Sequence, residues 1–78
     1  MTTLEQYIQD LTNGCNYLDA QVAAKTTEKT PYGTWKIQES VDGIKYQLTL
    51  DEVKNSSEDL SAFNTSVSNA ETYIATLS

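Results

Sequence analysis

On both sides of Asp42-Gly43, from Thr34 to Asp51, apolar and polar residues alternate. Asp-Gly between alternating segments is the strongest short-range hairpin signal, because a type I′ turn needs positive φ at both central residues. Setting Val41 opposite Ile44 pairs Glu39 with Tyr46, Ile37 with Leu48 and Trp35 with Leu50, so the apolar residues of both segments share one face. The other face sets Lys36, Gln38 and Ser40 against Thr49, Gln47 and Lys45. This pattern predicts two antiparallel strands, 34–41 and 44–51.

Ahead of the hairpin, Leu4, Ile8, Leu11, Cys15, Leu18 and Val22 are spaced alternately by four and three, the stripe of an amphipathic helix. Thr2 stands three before Glu5 and Thr3 three before Gln6, so either pair can form a capping box, and the helix is expected to begin near residue 3. Gly14 lies beside the seam residue Cys15, where it either admits a neighbouring backbone or, with Asn13, breaks the helix. Lys25 to Gly33 has no periodicity and holds the only proline, which reads as a solvated connector. After the second strand, Asn55 to Asp59 offers N-cap residues and first-turn acids, and Leu60, Phe63, Val67, Ala70, Ile74 and Leu77 form a second helical seam. Asn64-Thr65-Ser66 and Ser68-Asn69 are poor helix formers, so this second helix needs support from elsewhere in the fold.

The expected fold is α+β, a single domain over 1–78 in the order α-β-β-α. Two amphipathic helices rest on one face of the hairpin, with Trp35, Ile37, Leu48 and Leu50 as the floor. A two-stranded sheet is marginal in water and leaves both edges unpaired. A homodimer is therefore expected, through edge pairing into a four-stranded sheet or through the helix seams.

Eleven acidic residues against five lysines give a net charge of −6, which opposes direct binding to nucleic acid or to an anionic membrane. A protein partner with a basic surface suits it better. Nothing in the chain resembles a membrane span or a signal peptide, and a cytoplasmic location is expected. One cysteine and no histidine exclude an intrachain disulfide and a Cys/His zinc site. Asp51-Glu52 and Glu58-Asp59 lack the alternation and central glycine of a calcium loop. Acids, bases and nucleophiles do not converge, and Cys15 reads as a small apolar seam residue, so neither an enzyme nor a cofactor is expected.

The candidate partner-binding residues are Tyr32 and Tyr7, because tyrosine is favoured at interfaces, and the acids Asp10, Asp19, Glu58 and Asp59. Tyr17 and Tyr73 belong to the first group and Glu71 to the second. In overall character the chain resembles small phage-encoded inhibitors of DNA-processing or defence proteins, which are short, acidic, cysteine-poor and without catalytic residues. The likeness is one of type with no motif behind it, so it assigns no role to any residue. It implies a non-enzymatic protein that inhibits or regulates another, in the host cytoplasm. The alternatives are a binder of a planar or anionic small ligand, held by tyrosines, Trp35, Lys36 and Lys45 between two protomers, and a structural subunit.

Overall fold

The computed structural model describes residues 2–27 and 30–77 and contains four helices: α1 (Thr3–Ala24), α2 (Pro31–Leu48), α3 (Asp51–Lys54) and α4 (Ser61–Leu77). The α-β-β-α expectation is overturned. Among the described residues there is no strand, no β-hairpin and no sheet edge to extend by dimerisation.

The physical reason lies in the segment read as a hairpin. Ile37, Val41, Ile44 and Leu48 are also spaced four, three and four, so one helical face gathers them without Glu39, which the hairpin register would place among the apolar side chains. Ile37, Val41 and Ile44 are buried in this register, and Leu48 packs at the edge of the core. A helix also satisfies its backbone groups locally, whereas a lone ribbon leaves two edges to water. The start signal stood in the supposed connector: Thr30 is the N-cap, accepting from the Gly33 amide through Oγ1 at 3.0 Å, and Pro31 is the first helical residue. Gly43 sits inside the helix without positive φ, and Asp42 accepts from Gln38 Nε2 at 2.9 Å, a helical i,i+4 contact. Trp35 is consequently exposed and Leu50 only half-buried, so neither serves as a floor under the helices.

α1 matches its sequence pattern. Thr2 caps it in a reciprocal box: the Glu5 amide donates to Thr2 Oγ1 at 3.1 Å, and the Thr2 amide donates to Glu5 Oε1 at 3.4 Å. The helix runs through Asn13-Gly14 without a break. Gly14 admits a side chain, not a backbone: a Cβ placed there would stand 3.1 Å from Ile44 Cδ1. Lys25 closes α1 at φ 53, a left-handed position normally given to glycine. Of the remaining connector, Thr26 and Thr27 follow α1, and Glu28 and Lys29 lie outside the described residues.

α2 ends where Thr49 Oγ1 donates to the Tyr46 carbonyl at 2.6 Å. The single-turn α3 then follows, with Asp51 and Glu52 in its first turn, and it drives Val53 into the core. Asn55 caps the C-terminus of α3, so the second seam helix starts later than Asn55–Asp59 suggests; Asp59 Oδ1 accepts from the Ser61 amide at 3.0 Å and from its hydroxyl at 2.7 Å. Two of the poor helix formers of α4 bond back to the preceding turn, Asn64 Nδ2 to the Leu60 carbonyl at 3.2 Å and Thr65 Oγ1 to the Ser61 carbonyl at 3.0 Å. Packing supplies the rest: α1, α2 and α4 all touch one another, α3 closes against α1 and α2, and the core is Leu11, Cys15, Leu18, Ile37, Val41, Ile44, Val53, Val67 and Ala70. The central positions of both seams, Leu11, Cys15, Leu18, Val67 and Ala70, thus pack within the chain. Lys45 Nζ meets Glu71 Oε2 at 3.2 Å, tying α2 to α4.

Gly43 separates the two readings of this segment experimentally. A Cβ there meets nothing within 4 Å, so Gly43→Ala is expected to stabilise the helix by about 1 kcal/mol, whereas in a type I′ turn it would destabilise. Gly14→Ala is expected to gain less, because Ile44 must yield by a few tenths of an ångström. Urea midpoints of the two variants check both outcomes.

Candidate functional site on the outer face of the second helix

The helical period that buries Ile37, Val41, Ile44 and Leu48 places a second series on the opposite side of α2. Tyr32, Trp35, Glu39, Asp42 and Tyr46 follow one another at three, four, three and four residues. Tyr32 is 72% exposed, Trp35 54% and Tyr46 68%, high values for aromatic side chains that an 8.7 kDa protein has every reason to bury. The Tyr32 and Trp35 rings stack with centroids 6.3 Å apart and planes 25° from parallel. The Thr30 cap and Pro31 fix the turn that carries Tyr32, and the Gln38 bond holds Asp42. An aromatic pair thus stands at the start of the stripe, acids in its middle and a third aromatic at its end.

Beside the stripe, α1 and α2 enclose an open cleft. Its wider part, about 540 Å³, is walled by Tyr17 of α1 and by Trp35, Lys36, Glu39 and Ser40 of α2. Past Tyr17 and Lys36 it continues as a second recess of about 370 Å³, which reaches Gln21, Thr27, Tyr32 and Gly33. Lys36 makes no ion pair among the described residues. Lys45, grouped with Lys36 on sequence grounds, is engaged with Glu71 and does not line this cleft.

The residues singled out from sequence are dispersed by the fold. Tyr32 belongs to the exposed stripe. Tyr7 and Tyr73 are half-buried and pack against the core, broadening the buried faces of α1 and α4. Asp10 is exposed on α1. Asp19 accepts from Ser66 Oγ at 3.2 Å and helps to tie α1 to α4. Glu58 borders a smaller groove with Leu4, Glu5, Ile8, Gln9 and Thr12, roughly 15–20 Å along α1 from Asp19. Asp59 holds the start of α4, and those hydrogen bonds from Ser61 lower its carboxyl pKa. The acids Glu39 and Asp42 and the aromatics Trp35 and Tyr46 were missed because the hairpin register set Trp35, Glu39 and Tyr46 on its apolar face and Asp42 in the turn. A helical count from Tyr32 would have found them.

Cys15 is buried between α1 and α4. Burial pushes its thiol above the ordinary range, a hydrogen bond with Ser66 offsets part of this, and the Asp19 carboxylate adds to the rise. No helix of the described residues is long and apolar enough to cross a membrane. Neither a protein-family model, a curated protein nor a solved structure matches the chain.

The state of Cys15 has two measurable consequences. Its labelling by a thiol reagent is expected to be slow in the native protein and fast in urea. Because the folded thiol pKa is raised, the stability that Cys15 contributes is complete below the unfolded thiol's pKa, about 9, and is lost as pH rises through the folded value. The stability difference between the parent chain and Cys15→Ala is therefore expected to be constant up to about pH 8 and to shrink above pH 9, as read from urea midpoints.

Proposed function

We propose that this chain is a non-enzymatic interaction protein that binds another protein through the outer face of α2, inhibiting or regulating it by covering its surface. The observation that carries this reading is the stripe Tyr32, Trp35, Glu39, Asp42 and Tyr46 lying opposite the buried face of the same helix. Exposed aromatics cost solubility and contribute nothing to this core. At an interface the same side chains supply most of the binding energy.

The acids define the chemistry of the partner. Glu39 and Asp42 lie at the middle of the stripe, within a chain of net charge −6, so the complementary surface carries lysine or arginine between two apolar recesses. A second copy fits this face poorly, since an antiparallel pair would set Glu39 and Asp42 against their own equivalents. A basic surface that ordinarily receives nucleic acid meets the requirement, which makes a nucleic-acid-handling or defence protein the favoured class of target.

Affinity capture from the source organism, compared between the parent chain and variants, tests this. Trp35→Ala is expected to weaken the captured complex at least about tenfold, or ~1.4 kcal/mol, with helicity unchanged. Asp42→Lys is expected to slow association and to flatten its salt dependence. A partner retained equally by Trp35→Ala, Tyr46→Ala and Asp42→Lys would refute the assignment.

A further inference from the structure

The spacing of Tyr32, Trp35, Glu39, Asp42 and Tyr46, alternately three and four, is that of the seam positions of a heptad repeat. At about 100° per residue the five fall within an arc of roughly 80°, one narrow row on a helix that runs without interruption from Pro31 to Leu48. The row is about 21 Å long and carries a side chain every ~5 Å. All five residues are exposed. Glu39 and Asp42 make no ion pair among the described residues, and Asp42 accepts from the neutral amide of Gln38. Beside the row, the 540 Å³ cleft between Trp35, Glu39 and Tyr17 leaves room for side chains that flank a seam.

We infer that the partner segment seated on this row is an amphipathic helix, with two basic residues at consecutive seam positions and apolar residues at the seam positions on either side. The inference rests on the docking reading above and adds what the partner presents. Side chains on one face of a strand recur every ~6.7 Å, so a strand laid along the row falls more than half a layer out of step by its third residue. A helix repeats at the same ~5 Å and stays in step over all five layers. Arginine or lysine opposite Glu39 and Asp42 matches carboxylates that an apolar seam would bury unpaired. The two acids also fix the register, because a slide of one heptad carries the basic residues away from both. A second copy of the row offers no basic residue at any of the five positions.

Fluorescein-labelled synthetic peptides about three heptads long, read by anisotropy, test this. Two carry leucine and arginine at the seam positions in the two possible orders, parallel and antiparallel to α2. A third has the same composition with its arginines moved to the opposite face, and a fourth alternates leucine and arginine with β-branched residues in a strand pattern. One of the first two is expected to bind saturably, and the third and fourth at least about tenfold more weakly. Asp42→Lys is expected to weaken the bound peptide by a similar factor, with far-ultraviolet circular dichroism unchanged, and glutamate in place of the peptide's facing arginine to restore most of the loss. The chain alone is expected to sediment as a monomer. Four results would each overturn the inference: no saturable binding in either order, equal binding of the opposite-face or strand peptide, no rescue by the charge exchange, or a dimer of this chain that Trp35→Ala disperses. A partner whose capture needs Trp35 while no helical peptide binds removes the helix alone; a captured partner indifferent to Trp35→Ala removes the docking reading itself.

Discussion

The wedge formed by Ile37, Val41 and Ile44 between α1 and α4 is the contact on which this structure depends. It supplies a third of the buried core residues and brings α2 against both seam helices, with Ile44 resting over Gly14. Burying each of these side chains contributes roughly 1.5–3 kcal/mol, a large share of the stability a domain of this size can have. Among the described residues α1 and α4 also pack directly on each other, and α2 supplies the third side. α3 closes one end through Val53, and the polar ties Lys45–Glu71 and Ser66–Asp19 add orientation more than energy.

The wedge also decides the surface. A helix that directs Ile37, Val41 and Ile44 inward must direct residues half a turn away outward, and those include Trp35 and Tyr46. Core and candidate interface are two faces of one periodicity. The exposure of the aromatic side chains is therefore fixed by the fold and does not depend on a mobile loop. Placing a recognition surface on a helix supported from behind lowers the ordering cost of binding.

The legible parts of the fold were those where local chemistry and global packing agree. Thr2 with Glu5, and the spacing of Leu11, Cys15 and Leu18, specify α1 by capping and periodicity together. Val67 and Ala70 do the same for α4, although its start was displaced because Asn55 to Ser57 are turn residues of a helix too short to show a period. The error in the middle has a specific cause. Alternation over eight residues on each side of Asp-Gly hides the four, three, four spacing of Ile37, Val41, Ile44 and Leu48 and the Thr30-Pro31 start signal, and the choice between the two patterns is made by α1 and α4, which lie far away in sequence. The outer face of α2 was hidden in the sequence for the same reason. Of the residues named from sequence, Tyr32 alone lies on this face, because its neighbours in space become neighbours only on a helix; Tyr7 packs against the core, and Asp19 and Asp59 bond to Ser66 and Ser61.

Gly43, midway along a helix that long-range packing imposes, ties the helicity of α2 to the rest of the fold. Asp-Gly favours a reversing turn and glycine is a weak helix former, so the chain is helical there because Ile37, Val41 and Ile44 pack against α1 and α4. The helicity of α2 is thus a property of the assembled bundle and not of its own sequence alone.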